Sequence, residues 1–163
     1  MFRDMRRNSQ KLTDEESVSI LQKATSGVLA VIGDEDYPYA VPLSYVYCDF
    51  KIYIHCATQG HKLDAIRKNS KVSFCVIEQD NIVPEKFTTY FRSVIAFGKG
   101  RVIEDTEEKI NAIRILAEKY CPDVTKEQYN SEVSSAIDRM AMIEITIEHM
   151  TGKEAIELVK DRR

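Results

Sequence analysis

From Lys51 to Ala57 the chain alternates, with Ile52, Ile54 and Cys56 on one side and Tyr53, His55 and Ala57 on the other. That period of two predicts a strand with one face on a core. Leu63, Ala65 and Ile66 then recur at helical spacing, which predicts a short helix from about His61 to Asn69 after a polar turn at Thr58-Gln59-Gly60. Upstream, Thr13-Asp14-Glu15-Glu16 has the spacing of a capping box ahead of Val18, Ile20, Leu21 and Ala24, so a helix is expected there, closed by Gly27. Residues 28–32 are a continuous apolar run ending in the turn Gly33-Asp34-Glu35-Asp36. Residues 39–48 form a longer apolar strand broken by Pro42, which has no N–H for a ladder and marks an edge, a bulge or a point where something else approaches the backbone.

Further on, residues 72–77 read as a buried strand, 81–87 as a loop around Pro84, and 88–103 as a long strand. Gly98 and Gly100 mark a bulge or bend in it rather than a nucleotide loop, because no G-K-[ST] follows. Asp105 and the acids after it open a helix with the apolar stripe Ile110, Ile113, Leu116, Ala117 and Tyr120, ended by Cys121-Pro122. A second, more polar helix is expected over 125–138. Ala141, Ile143, Ile145 and Ile147 then alternate with Met142, Glu144, Thr146 and Glu148 as a half-exposed strand. About six strands and three or four helices, joined mostly by short turns, predict a mainly β, barrel-like α+β domain. With no repeat or linker in it, residues 1–163 are expected to be a single domain.

Composition narrows the function classes. With 44% hydrophobic and 30% charged residues the chain has the make-up of a soluble globule. Its 23 basic and 26 acidic residues give a net charge of −3, so no global basic field recruits nucleic acid or an anionic membrane. Arg3, Arg6 and Arg7 are a local cluster, expected in an N-terminal tail. No apolar run approaches membrane-spanning length, and residues 1–12 lack the apolar core of a signal peptide. Cys48, Cys56, Cys75 and Cys121 show no C-x-x-C spacing, and the expected compartment is a reducing cytoplasm.

Charge placement supplies the first candidate chemistry. His61 and Lys62 occupy the first turn of the short helix, where unpaired N–H groups favour a carboxylate over a cation. Glycine ahead of a helix start, free N–H groups and a lysine together make a phosphate site; the bland alternative is a surface lysine in water. No G-x-S-x-G, H-E-x-x-H or P-loop is present. His55, Cys56 and His61 offer metal-ligand chemistry, but a fourth ligand has no source and the spacing fits no familiar zinc module. His55 is a candidate proton donor or a half-buried strand residue. Ser44 and Ser93 fall inside strand patterns, and no Ser–His pair follows from the sequence.

Taken in order, Tyr37-Pro38-Tyr39-Ala40-Val41-Pro42-Leu43-Ser44-Tyr45-Val46, Ile52-Tyr53-Ile54-His55, Gly60-His61-Lys62-Leu63-Asp64 and Ser93-Val94-Ile95-Ala96-Phe97-Gly98 resemble the Nim-type nitroimidazole-resistance proteins. These belong to the pyridoxine 5′-phosphate oxidase-like, FMN-binding split-barrel superfamily, and the resemblance runs over nearly the whole chain. It implies a six-stranded split β-barrel with flanking helices, as a homodimer with two flavin sites in the clefts between subunits. By the resemblance, Val41, Pro42, Leu43 and Ser44 would run beside the flavin and lend backbone groups to its ring. Ile54 and His55 would line the ribityl and ring side, His61 and Lys62 would hold the phosphate, and Ser93 would be a polar contact. His55 matches a histidine that sits near the flavin in some relatives, which makes it the catalytic candidate.

The resemblance therefore implies a cytoplasmic FMN-dependent reductase, with FAD as the other possible cofactor. It would reduce nitroimidazole, nitroaromatic or similar small-molecule substrates, with a nicotinamide as possible electron donor. The competing expectations are a flavin- or haem-binding module without turnover, and a split barrel that binds no cofactor. Vitamin-B6 oxidation is not expected, because Arg162 and Arg163 close the sequence without the arginine-rich pattern that clamps a pyridoxal phosphate.

Overall fold

Seven strands form one antiparallel sheet in the computed structural model, which describes residues 1–161. They are β1 (Ser26–Ile32), β2 (Pro38–Ser44), β3 (Val46–Cys48), β4 (Lys51–Ala57), β5 (Lys71–Val83), β6 (Thr88–Val102) and β7 (Met140–Glu154). Five helices flank it: α1 (Asp14–Lys23), α2 (His61–Lys68), α3 (Thr106–Tyr120), α4 (Lys126–Ala136) and α5 (Ile156–Asp161). The strand order is β2-β1-β5-β6-β7-β4-β3. Arg162 and Arg163 lie outside the described residues.

The seventh strand comes from the apolar run 39–48, which breaks at Tyr45 and not at Pro42. Tyr45 is fully buried, its hydroxyl donates to the Leu21 carbonyl at 2.8 Å, and its ring meets Phe74 edge-on. Before it, β2 pairs with β1; after it, β3 pairs with β4. The two edges of the sheet are therefore consecutive pieces of one stretch, and a single residue joins them. Such a sheet has to curl until its edges approach. The sheet therefore has seven strands, one more than the expected six. Pro42 is tolerated because β2 has a ladder neighbour on one side only, where a nitrogen facing the open edge loses no bond.

Curling encloses the main core, in which Leu29, Ile52, Ile54, Phe74, Val94 and Ile143 are fully buried. The amphipathic α2 closes one end with Leu63, Ala65 and Ile66. A second cluster of Val46, Tyr53, Ile103, Ala112 and Met142 lies on the other face of the sheet, under α3. α1 begins with the predicted capping box but ends at Ala24. Gly27 belongs to β1 instead, where a Cβ would sit 2.3 Å from the Phe74 ring. The expected loop at 81–87 is the tip of a long hairpin: β5 and β6 stay paired to Val83 and Thr88 around a tight turn over Pro84–Lys86, leaving Ile82 and Phe87 exposed. β7 continues past residue 148 to Glu154, and α5 is a helix the spacing did not announce.

α3 also corrects the reading of β7 as half exposed, because it covers the outer face and buries Met142 and Glu144. The Glu144 carboxylate receives Lys51 Nζ at 3.0 Å and Arg101 Nε at 2.9 Å, and Arg101 reaches Glu108 on α3 at 2.9 Å. Burial alone would raise the Glu144 pKa, but the bonds from Arg101 and Lys51 outweigh it and hold the group below its ordinary value. A depressed folded-state pKa contributes stability above the unfolded value and loses it as pH falls through the folded one. Glu144→Gln should therefore be less stable than wild type at neutral pH, with the two converging as the medium is acidified. Urea midpoints across pH test this, and a constant gap would contradict it.

Candidate anion cradle and cavity

Gly60 precedes α2 with φ at 139°, a backbone region where a side chain is strained. Its carbonyl receives the N–H groups of Leu63 at 2.9 Å and Asp64 at 3.3 Å. The N–H groups of His61 and Lys62 are left without an acceptor among the described residues, and no side chain caps the helix. Space beside Gly60 is open: a Cβ there would meet nothing within 4 Å. Lys62 is half-buried, with no carboxylate paired to it among the described residues. Burial pushes the Cys56 thiol up, and the charges of Lys62 and Arg67 partly oppose this, so both cations act at the end of β4. Free N–H groups, an unpaired ammonium and an open glycine fit a phosphate.

His61 is engaged elsewhere. Its ring stacks on Tyr39 at 4.2 Å, and Nε2 accepts the Asp34 N–H at 3.2 Å. The Asp34 carboxylate lies 3.7 Å from the same nitrogen. One nitrogen cannot accept from the amide and donate to the carboxylate, and the shorter, hydrogen-bonded contact prevails. What His61 retains for an anion is its backbone N–H and Nδ1.

The other candidates divide by the pleat. Val41 and Leu43 pack against the core, while Pro42 and Ser44 point outward along the free edge of β2. The Ile54 side chain is fully buried and offers nothing at the surface. His55, its neighbour, is exposed and has no partner among the described residues. Ser44 and His55 come together on one cavity of about 430 Å³ that also takes Ile113 and Leu116 from α3 and Met140 and Met142 from β7. Sequence reasoning missed these four. The apolar stripe of α3 was legible, but not what it faces. The helix is pinned there at its C-terminal end: the Tyr120 hydroxyl accepts the Tyr45 N–H at 3.2 Å and lies 2.6 Å from the Thr25 carbonyl and 2.7 Å from that of Tyr45.

Ser93 is not part of this group in one chain. It sits on the outer face of β6, three strands from β2 in the sheet order, a path of about 14 Å at ordinary strand spacing. Around it the sheet shows water an apolar surface: Ile77, Ile95 and Phe97 are exposed, and Val28, Ala30 and Cys75 are half exposed on the neighbouring strands. Phe2 rests on its margin, 5.5 Å from Phe97 and 4.7 Å from His149. Among the described residues no group of three or more His, Cys, Asp or Glu could hold a metal, so His55, Cys56 and His61 do not converge. No described helix is long and apolar enough to cross a membrane.

A family model described as pyridoxamine 5′-phosphate oxidase matches residues 13–154. No curated protein matches the chain. Among solved structures, a candidate 5-nitroimidazole antibiotic resistance protein from Bacteroides thetaiotaomicron is 24% identical, with 88% of this chain and 86% of that one covered and a TM-score of 0.74. A flavocytochrome from Azotobacter vinelandii is 18% identical over 93% of this chain and 72% of its own, with a TM-score of 0.74. An FAD-binding protein from Mesorhizobium loti is 24% identical over 90% and 97% respectively, with a TM-score of 0.61.

Proposed function

The chain belongs to the pyridoxamine 5′-phosphate oxidase family, and we propose that it is a homodimeric split barrel that binds FMN and reduces small molecules, nitroaromatic compounds among them. One observation carries the cofactor assignment. The N-terminus of α2 offers two N–H groups and Lys62 around an open glycine, beside the free edge of β2. FMN ends in a phosphate that suits the first, and its ring has polar edges that suit the unpaired backbone of the second. A relative described as FAD-binding adds weight to a flavin. The dimer is supported by the apolar outer face of β1, β5 and β6 and by the position of Ser93 far from β2, since a second subunit would cover the first and bring its own Ser93 near a cleft.

When bound, the flavin supplies the hydride and electron transfer. The residues of the chain bind and orient. Lys62 and the α2 amides fix the phosphate; Pro42 and Ser44 set the open edge along which the ring is held. α3 forms one wall of the cavity next to His55. The His55 ring, without a partner among the described residues, donates a hydrogen bond or a proton to a bound acceptor. The absorption spectrum of the purified protein tests the assignment: flavin bands support it, and a Soret band or no chromophore would refute it.

Lys62→Ala should weaken FMN binding by about 1.5–3 kcal/mol, the scale of a charge-assisted hydrogen bond, and leave the fold intact. Fluorescence titration measures it, and equal affinities would remove Lys62 from the phosphate. His55→Ala should keep FMN yet change the rate of nitro-compound reduction more than about tenfold, a barrier change of about 1.4 kcal/mol. Stopped-flow reoxidation of the reduced protein, with bound flavin quantified, checks this. An unaltered rate at full occupancy makes His55 a structural strand residue.

A further inference from the structure

We propose that the cavity beneath α3 is a pocket for one uncharged aromatic ring, and that Glu132 on α4 makes it reject anionic rings. The placing of this pocket next to a redox cofactor rests on the flavin reading above; the binding itself does not. At about 430 Å³ the cavity has the size of a small-molecule site. Ile113 and Leu116 form its roof and Met140 and Met142 its floor, so a ring entering it loses little hydration and meets polarizable thioethers. Its polar groups are few. The Tyr120 hydroxyl is already engaged with Thr25 and Tyr45. His55 is free to hydrogen-bond one polar substituent, such as a nitro or carbonyl oxygen. Among the described residues Glu132 is the only carboxylate on the lining, and no lysine or arginine stands there.

An anionic ring would therefore give up its water against apolar walls and a like charge. The opposite holds at α2, where Lys62 and Arg67 gather. The two regions divide ligands by charge, with an anionic tail at one and an uncharged ring at the other. Because α4 has no buried residue, Glu132 acts on this choice without supporting the fold.

Nitrobenzene and 4-nitrobenzoate share a ring and differ by one carboxylate, which makes them the probes. The readout is the ¹³C-methyl resonances of the methionines, recorded on the protein with and without FMN. Nitrobenzene should shift the Met140 and Met142 methyls saturably and leave those of Met1 and Met5 in place. 4-Nitrobenzoate should bind at least about tenfold more weakly, and Glu132→Gln should narrow that gap. Ala117→Phe, which fills the cavity, should abolish both shifts; if it fails to fold, Ile113→Trp is used in its place. Shifts confined to other methyls, equal affinities for the two probes, binding that survives a filled cavity, or loss of nitrobenzene when FMN is added would each overturn the proposal. A protein that takes up no flavin but still binds nitrobenzene in this pattern would remove the flavin reading and leave the pocket standing.

Discussion

Gly98→Ala is expected to lower the stability of the protein by about 3 kcal/mol or more, the upper range for forcing an atom into packed surroundings. Gly98 sits where the ladder between β6 and β7 slips register, opposite Ile147. A Cβ at this position would lie 2.1 Å from the Thr146 carbonyl oxygen, 3.0 Å from its carbon and 3.2 Å from the Ile147 Cα. All three are backbone atoms held in the ladder, so no rotamer change relieves the clash. The strands must separate locally, at the most extensively paired part of the sheet, where β6 bonds β5 on one side and β7 on the other. Gly100 provides the contrast. A Cβ there would come no closer than 3.3 Å, to side-chain methyls of Val72 and Ile66. Gly100→Ala should therefore cost markedly less, and urea denaturation of the two variants measures the difference. Similar losses would mean that the bulge, not the close approach, governs this region.

Ile95→Asp is expected to convert the proposed dimer into a monomer that no longer retains FMN. Ile95 lies in the middle of the outer face, between Cys75 on β5 and Thr151 on β7, and is 38% exposed in one chain. In a single chain its carboxylate replacement would remain hydrated, so the fold should persist. Across a subunit interface the same carboxylate would be buried without a partner, at a cost of several kcal/mol per copy. Two-fold symmetry would repeat the defect. Light scattering after size exclusion should move from twice the 18.7 kDa chain mass to the chain mass itself. A dimer that survives the substitution would place the interface elsewhere. A monomer that still binds FMN tightly would show that one chain completes the site.

Period-two and helical patterns were enough to read most elements, because those periods record which face of each element meets the core. The Thr13 box, the strand from Lys51 and the helix from His61 to its stop at Asn69 all follow from local rules. The geometry of the candidate anion cradle was legible for the same reason. Gly60, two free N–H groups and Lys62 are neighbours in the chain, and their chemistry is local. Glu144 was misread because alternation reports one covered face, and nothing in the strand announces a helix folding over the other. Tyr45 broke the strand where Pro42 was expected to, since the break depends on what the tyrosine touches at Leu21 and Phe74.

The sequence alone therefore determined most of the elements, the α+β class and the group of residues around Lys62, each set by interactions within a few positions of chain. Tertiary structure decided what lies far apart in sequence and close in space. It joined the sheet edges at Tyr45, tied the His61 ring to Asp34, and set Ser93 three strands from β2. It also laid α3 over His55 and Ser44 to make a cavity. Those choices are fixed by strand order and by packing between distant segments, and residue spacing along the chain carries no record of either.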